Sequence, residues 1–283
     1  MWHEQTLDLG SDRSLHVAQA GAGPDIVLIH GALTTGHDWR TSPVAAALAN
    51  THRVTAIDRP GHGSSQRLRF EGTPRDQADQ IAEGLERLGI GPTIVAGHSF
   101  GGMVTLALAE RHSELLAAMI LLAPIAFPEP RLLEQTLLAP RALPLAGPIL
   151  SRFGQVSQLD RTLLPVLHKM MFHPQEVPAG WKESYPFADI LDPQALVFEG
   201  EDAAATLPLS PSGTLAIGTI DIPARVLIGT ADKIIDEGRQ ASGVAALLPN
   251  ARIDRIEGAG HMIHHTHPDL ILTVIRDMVA RPA

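Results

Sequence analysis

The stretch TIVAGHSFGGMV, residues 93–104, places three glycines around one serine, between an apolar run and a segment of strong helix-forming residues. Glycine is used where the backbone must adopt a conformation, or make a close approach, that a side chain would prevent. A serine between such glycines, after a strand and before a helix, is typical of the strained turn called a nucleophile elbow. We therefore predict that Ser99 is a nucleophile.

The composition excludes several classes of partner and site. The chain has 283 residues, no cysteine and a formal net charge of −9. This charge disfavours nucleic acid or an anionic membrane as the main partner, because both select basic surfaces. Without cysteine there are no disulfides, thiolate metal ligands or cysteine nucleophile. The N-terminus lacks the pattern of a secretory signal, and the longest apolar run, residues 115–127, is too short to span a bilayer. We expect a cytoplasmic protein without a membrane span.

Short apolar runs without alternation recur along the chain, which is the pattern of strands buried on both faces in a parallel sheet. They are DIVLIH (25–30), RVTAID (53–58), TIVAG (93–97), AMILLA (118–123) and ARVLIG (224–229). Segments with helical periodicity, such as 75–89, separate them. TLDL and SLHVAQA, near the start, alternate like an antiparallel hairpin. These patterns predict an α/β fold with a mainly parallel sheet.

The alternation of strands and helices stops between about Pro128 and Asp221. Residues 131–150 are apolar but contain three prolines, which break a long helix into short pieces. We expect residues 128–221 to form a helical cap inserted after the sixth strand, with 1–127 and 222–283 as the core domain. The alternative is that part of this segment consists of ordinary helices that cover the sheet.

A nucleophilic serine needs a histidine base, and that histidine needs an orienting carboxylate. Asp232 follows the buried run ARVLIG, and His261 lies in a glycine-flanked loop after the strand-like ARIDRIEG. Asp236 is an alternative acid, but Asp232 is closer to the end of its strand. We therefore predict Ser99, Asp232 and His261 as the catalytic residues.

With these residues in the order serine, aspartate, histidine, the sequence resembles the α/β-hydrolase superfamily, in its capped esterase and lipase-like branch. The resemblance is carried by IHGALTTGHDW, DRPGHGSS, GHSFGG, GTAD and GAGHMIHHTHP, in that order along the chain. It implies a mostly parallel eight-stranded sheet flanked by helices. It also implies an oxyanion hole formed by the backbone N–H groups of Ala32 and Phe100. Phe100 begins the predicted helix, so its free N–H can point toward developing negative charge.

Serine at the elbow separates this chain from relatives that carry aspartate there, such as haloalkane dehalogenases and epoxide hydrolases. It suits acyl transfer to water. We expect a serine hydrolase that cleaves carboxylic esters, or related acyl compounds such as lactones, without a cofactor. The alternatives are a cofactor-free haloperoxidase or perhydrolase, or a carbon–carbon bond hydrolase, with the same triad. A non-catalytic ligand-binding protein on the same scaffold is a further alternative.

Apolar side chains are the candidates for the substrate pocket. We assign to it Leu33, Met170, Phe172, Trp181, Tyr185 and Met262. The alternative for those in the inserted segment is ordinary packing, because helical spacing produces the same pattern. These residues favour a small to medium apolar ester as the substrate.

Two clusters of titratable residues, one of histidines and one of acidic residues, are not assigned a role in metal binding or, apart from His261, in catalysis. Histidines 261, 264, 265 and 267 lie close together, but no dense set of carboxylates or cysteines accompanies them, so we expect no metal site. We expect His264 and His265 to be partly exposed at the start of a helix. The acidic residues between Asp189 and Asp202 are expected to form a solvated surface.

Overall fold

A computed structural model of the chain describes residues 1–208 and 210–280, and for residues 132 and 133 it describes only the backbone. Within this part of the chain, eight strands form one sheet. They are β1 (His3–Gly10), β2 (Arg13–Ala20), β3 (Asp25–Ile29), β4 (Arg53–Ile57), β5 (Thr93–His98), β6 (Leu116–Leu122), β7 (Ala224–Gly229) and β8 (Ala251–Ile256).

The strand order across the sheet is β1-β2-β4-β3-β5-β6-β7-β8. Strand β2 runs antiparallel to β1 and β4, whereas the remaining neighbours are parallel. The predicted parallel sheet and initial hairpin are therefore confirmed. The chain changes its direction of winding at β3, between β4 and β5. In open α/β sheets, ligands bind at the carboxyl ends of the strands beside such a point.

Helices cover both faces of the sheet. Those outside the segment between β6 and β7 are α1 (Gly36–Arg40), α2 (Pro43–Leu48), α3 (Pro74–Arg87), α4 (Phe100–Arg111), α11 (Gly243–Leu247), α12 (Ile263–Thr266) and α13 (Pro268–Val279). Single 3₁₀ turns span Ser113–Leu115, Ala139–Ala142 and Ile217–Thr219, and a π-helical turn spans Glu237–Ser242. The elements alternate along the chain as the sequence predicts.

The central strands are buried on both faces because successive side chains point to opposite sides. In β3, Val27 and Ile29 pack with residues of α3 and α4. Ile26 and Leu28 pack on the other side, against α2, α13 and Trp39. Each buried aliphatic side chain contributes about 1.5–3 kcal/mol. The two apolar layers thus hold the carboxyl ends of β3 and β5 in fixed positions.

The segment between β6 and β7 is helical, as expected for an insertion after the sixth strand. It contains α5 (Leu132–Leu138), α6 (Ala146–Ser157), α7 (Leu159–Phe172), α8 (Trp181–Ser184), α9 (Phe187–Ile190) and α10 (Pro193–Ala205). We call this segment the helical insertion. In residues 1–208 and 210–280, no helix combines the length and apolar character needed to cross a bilayer.

The expectation that the acidic run is solvated was wrong for its last three members. Glu199, Glu201 and Asp202 lie on α10 and are buried against the core. Asp202 Oδ2 lies 2.6 Å from Nη1 of Arg59, and Glu201 pairs with Arg69 at 2.6 Å. Buried carboxylates are tolerated when opposite charges and hydrogen bonds compensate them. These ion pairs fasten α10 to the loop that follows β4.

Candidate active site

Ser99 lies on a sharp turn between β5 and α4. Its backbone angles are φ 53° and ψ −118°, a conformation that non-glycine residues rarely adopt. Such a residue costs about 1–3 kcal/mol and persists only where its surroundings enforce it. Here the Ser99 N–H donates to the Leu122 carbonyl at 2.9 Å, and the Ser99 carbonyl accepts from the N–H groups of Gly102 and Ile125. Neighbouring strand and loop therefore hold the serine in place.

Each of the three glycines of this turn lies where a side chain would clash with a neighbouring atom. A Cβ at Gly97 would lie 2.2 Å from Thr105 Oγ1, and one at Gly101 would lie 2.5 Å from the carbonyl oxygens of Ile29 and His30. A Cβ at Gly102 would lie 2.7 Å from Cβ of Pro124. All these distances are below 3.0 Å, and Cβ atoms in proteins essentially never approach another heavy atom so closely. Helix α4 can approach β3 and β5 this closely only because the glycines have no side chain.

The close approach of Gly101 to the end of β3 predicts a loss of stability in Gly101→Ala. Because the added methyl meets two backbone carbonyl oxygens, we expect the free energy of unfolding to fall by about 1–3 kcal/mol, measured by urea denaturation. Gly91→Ala is the matched control, since a Cβ there has nothing within 4 Å. Equal stability of the two variants would contradict this packing.

Asp232 and His261 are in direct contact. Asp232 follows β7 and His261 follows β8, and Nδ1 of His261 lies 2.8 Å from Oδ2 of Asp232. Both side chains are buried, at 1% and 3% exposed. The second carboxylate oxygen, Oδ1, accepts the N–H groups of Ile234 at 2.7 Å and Ile235 at 3.0 Å. The carboxylate is thereby oriented toward the imidazole. Asp236 instead caps the following helical turn by accepting the Arg239 N–H.

The loop of His261 is held by residues that sequence reasoning missed. The His261 N–H donates to the Met171 carbonyl of α7 at 3.0 Å, and Nε2 of His98 lies 3.2 Å from the His261 carbonyl oxygen. Burial lowers the pKa of His98 well below its usual value, so this imidazole is neutral. It can donate from Nε2 to the carbonyl. The available signal was a histidine at the fully buried end of β5, directly before Ser99.

Ser99 and His261 both border a cavity of about 450 Å³. Its wall also includes Ala32, Leu33 and Met170. Most of the other lining residues are apolar, among them Ile125, Leu138, Leu164, Leu167, Met171, Leu191, Leu196 and Ile234. Charged residues line the rest of the wall, namely Glu129, Arg131, Glu134, Asp160, Lys233 and Asp236. The cavity lies between the carboxyl ends of the strands and the helical insertion. Two of the six candidate pocket residues, Leu33 and Met170, therefore face the space beside the serine.

The other four candidates lie within the protein interior. Phe172, Trp181, Tyr185 and Met262 belong to a buried apolar cluster between the helical insertion and the core. Hydrogen bonds fix two of them, since Trp181 Nε1 donates to Asp38 at 3.0 Å and the Tyr185 hydroxyl donates to the Leu33 carbonyl at 2.6 Å. Packing, which the sequence left open as the alternative for Phe172, Trp181 and Tyr185, is the role that the geometry supports for these three side chains and also for Met262.

The loop after β3 lies directly against the serine. A Cβ added at Gly31 would lie 3.0 Å from Cβ of Ser99. Ala32, the next residue, borders the same cavity. Phe100 is the first residue of α4, where N–H groups lack partners within the helix. The two backbone groups expected to form an oxyanion hole thus belong to segments that meet at Ser99.

His264 and His265 are buried, not partly exposed as expected. Asp38 accounts for this, because its Oδ2 lies 2.7 Å from Nε2 of His264 and its Oδ1 lies 2.8 Å from Nε2 of His265. Burial lowers the pKa of His264 to about 4. Burial alone would raise the pKa of Asp38, but the nearby His265 and His264 together hold it well below its usual range. Asp38 is 226 residues from His264 along the chain, so local sequence could not reveal this contact.

Among the side chains that the structure describes, two buried groups of three residues have ligand atoms within 4.8 Å of one another and could hold a metal ion. They are Asp38 with His98 and His264, and His62 with Glu199 and Asp202. In the first group, the carboxylate already accepts hydrogen bonds from two histidines and Trp181. In the second, the guanidinium of Arg59 pairs with Asp202. Hydrogen bonds and a protein cation thus already compensate Asp38 and Asp202, whereas Glu199 accepts the Leu33 N–H through Oε1 and its Oε2 has no hydrogen-bond partner among the described residues.

Comparison with known proteins gives related sequences. A family model described as the alpha/beta hydrolase fold matches residues 24–268. The chain is 31% identical over 118 residues to an (E)-2-((N-methylformamido)methylene)succinate hydrolase of Acinetobacter baylyi, an alignment covering 42% of this chain and 44% of that protein. It is 30% identical over 271 residues to the magnesium-chelatase 30 kDa subunit of Rhodobacter capsulatus, covering 90% of this chain and 86% of that protein.

Solved structures share the architecture. The epoxide hydrolase CorEH superimposes with a TM-score of 0.79 at 20% identity, covering 99% of this chain and 98% of that one. An esterase from Thermogutta terrifontis superimposes with a TM-score of 0.71 at 20% identity, again covering 99% and 98%. At such identity, these likenesses concern the fold, which carries many different reactions.

Proposed function

Because the chain belongs to the alpha/beta hydrolase fold family, we propose that it is a serine hydrolase that cleaves carboxylic esters through an acyl-enzyme. One observation carries this proposal: the contact between Asp232 and His261 at 2.8 Å beside a cavity that His261 shares with the strained Ser99. A serine hydroxyl, an imidazole and a carboxylate in this relation are the groups that acyl transfer requires. Epoxide opening instead uses an aspartate at the elbow.

In the first half-reaction, Ser99 Oγ attacks the ester carbonyl carbon as Nε2 of His261 takes the hydroxyl proton. The Asp232 carboxylate accepts a hydrogen bond from Nδ1–H of His261 and so holds the ring in the tautomer whose Nε2 is free to accept a proton. A tetrahedral oxyanion forms. It collapses as the bond to the alkoxy oxygen breaks, and His261 returns the proton to the departing alcohol. The product of this step is an acyl-serine.

In the second half-reaction, water attacks the acyl-serine. His261 accepts a proton from the water, and the bond between the acyl carbon and Ser99 Oγ breaks when the new tetrahedral intermediate collapses. The proton returns to Oγ, so the enzyme regains its starting state. The same geometry serves both steps, because the water enters from the side of the departed alcohol.

The oxyanion is stabilised in both half-reactions by the N–H groups of Ala32 and Phe100. Their segments meet at Ser99, and Gly31 passes directly against that side chain. A preorganised donor of this kind supplies about 2.7–4 kcal/mol of transition-state stabilisation. Both donors are backbone groups, so the hole depends on loop conformation and not on side-chain identity.

The shape and lining of the cavity support a small to medium apolar substrate. A volume of about 450 Å³ lies within the usual range for small-molecule sites, which is about 300–1,000 Å³. Leu33, Met170 and the aliphatic part of the wall favour an apolar acyl or alcohol group.

We further propose that residues 128–221 act as a cap domain on the core of residues 1–127 and 222–283, because α7 and α10 border the cavity and contact the core.

Nitrophenyl esters of increasing acyl length test this function. We expect turnover, with the highest kcat/KM for a short or medium acyl chain that fits the cavity. The release of nitrophenolate, measured by its absorbance, gives the rate. Lactones are tested in parallel by proton release. Peroxide with halide and a short carboxylate tests the haloperoxidase alternative. If halogenation proceeds and no ester or lactone is hydrolysed, the proposed function is wrong.

A further inference from the structure

Both backbone polar groups of Leu33 are bound by side chains of the helical insertion. The Leu33 N–H donates to Oε1 of Glu199 at 2.6 Å, and the Leu33 carbonyl accepts from the Tyr185 hydroxyl at 2.6 Å. Leu33 directly follows Ala32 and has a φ of 52°, in the left-handed region that residues with a Cβ rarely adopt. Glu199 and Tyr185 are both buried. Side chains of the helical insertion, and not of the core domain, thus hold the strained end of this loop.

The peptide unit before Ala32 is held in a similar way. The Gly31 carbonyl accepts from Nη2 of Arg59 and from the Thr34 hydroxyl, each at 3.2 Å. Nδ1 of His30 also lies 2.8 Å from this oxygen. In a trans peptide the carbonyl and the following N–H point in opposite directions. Fixing the Gly31 carbonyl therefore fixes the direction of the Ala32 N–H.

Helix α10 takes part in both attachments. Glu199 accepts the Leu33 N–H, and Asp202, three residues later, binds Nη1 of Arg59 at 2.6 Å. Arg59 is fully buried, and its guanidinium lies 4.7 Å from the centre of the Phe100 ring. One turn of α10 is thus connected to the segments of both proposed oxyanion donors.

We propose that Glu199 and Tyr185 are positioning residues that set the oxyanion hole, so that docking of the helical insertion completes the catalytic site. This inference rests on the proposed function, because it assigns a role within the same reaction. Glu199 does not touch the substrate in this account. It acts through the Leu33 N–H, and the Ala32 N–H is the group whose direction matters. Without Glu199, the Leu33 N–H loses its acceptor and the strained loop can relax.

The test compares Glu199→Ala, Tyr185→Phe and Glu199→Gln with a control on the same helix. For Glu199→Ala we expect kcat for a nitrophenyl ester to fall about 10- to 100-fold with little change in KM, as for a small misplacement of catalytic groups. Tyr185→Phe is expected to lower kcat in the same way. Glu199→Gln keeps an oxygen that can accept the Leu33 N–H, so its kcat should lie between those of wild type and Glu199→Ala.

Glu201→Ala is the matched control. It removes a buried carboxylate of α10 that pairs with Arg69 at 2.6 Å, and the ion pairs and hydrogen bonds of that carboxylate lie away from the loop after β3. We expect its thermal melting temperature to fall while kcat stays within about threefold of wild type, because the oxyanion donors keep their positions. Melting temperatures of all variants show whether lost activity follows lost stability.

A second measurement separates positioning from general disruption. An alkyl trifluoromethyl ketone adds to the serine and forms an oxyanion, whereas the corresponding secondary alcohol does not. We expect Glu199→Ala to weaken inhibition by the ketone at least tenfold and inhibition by the alcohol less than twofold. Equal weakening of both, or activity equal to that of Glu201→Ala, would overturn the inference. If the wild-type protein hydrolyses no ester, the proposed function fails instead.

Discussion

Replacing Ser99 by alanine is expected to lower kcat for ester hydrolysis by about 10⁴- to 10⁶-fold, with KM within about threefold of wild type. The hydroxyl forms the bond to the carbonyl carbon, and the alanine variant has no other group at this turn that can replace it. The cavity wall stays intact, so substrate still binds. Steady-state kinetics with the preferred nitrophenyl ester measure both constants. A loss below tenfold would show that the reaction does not depend on Ser99.

The acid of the triad can be identified in the same assay. Asp232→Asn is expected to lower kcat by about 10⁴-fold, because the amide favours the wrong tautomer of His261. Asp236→Asn is the matched control. Its Oδ1 caps a helical turn by accepting the Arg239 N–H, so we expect less than a tenfold change. If the larger loss occurs at Asp236, the assignment of the acid is wrong.

Acid is expected to unfold the protein at a pH well above the pKa of ordinary carboxyl groups. Burial lowers the pKa of His62 to about 3 and that of His264 to about 4. Burial also lowers the pKa values of His30 and His98 well below the usual histidine value. In the unfolded chain all four regain a pKa near 6.5. Protonation below that pH therefore favours the unfolded state.

The size of this effect follows from proton linkage. A histidine that is neutral when folded and charged when unfolded removes about 1.4 kcal/mol of stability per pH unit below pH 6.5, until the folded pKa is reached. His62 and His264 alone thus contribute about 2–3 kcal/mol per pH unit between pH 6 and 5. His16 acts in the opposite sense, because its hydrogen bond to Asp58 raises its pKa, but it is a single group.

Urea denaturation at a series of pH values measures this dependence. We expect the free energy of unfolding to be constant above about pH 7.5 and to fall by several kcal/mol between pH 6.5 and 5. Because domains have only about 5–15 kcal/mol of stability, a substantial unfolded fraction is expected near pH 5 or slightly below. A stability that stays constant down to pH 5 would contradict the neutral buried state of these histidines.

Much of the fold could be predicted because it depends on local patterns. The strands are apolar runs without alternation, and the glycines around Ser99 mark a turn whose geometry excludes side chains. Candidate partners for the serine could be predicted because Asp232 and His261 each follow a strand. The carboxyl ends of parallel strands lie at one edge of a sheet, so residues in those loops come close together.

The contacts that could not be predicted join residues far apart in sequence. Glu199 and Asp202 have the composition of a solvated acidic run, and their burial depends on partners such as Arg59 in another part of the chain. His264 and His265 look exposed until Asp38 is brought beside them. Trp181 has the pattern of a pocket residue, but its indole N–H binds the same Asp38 carboxylate. Periodicity carries no information about such pairings.

The most direct test of the central claim is covalent labelling by a fluorophosphonate, followed by mass spectrometry of the peptide that contains residue 99. Such a reagent modifies a serine only when a neighbouring base activates its hydroxyl. We predict one adduct per chain on Ser99 in the wild-type protein, at least about 100-fold slower labelling in His261→Ala, and none in Ser99→Ala. Equal labelling of wild type and Ser99→Ala, or an unreactive wild-type protein, would contradict the account.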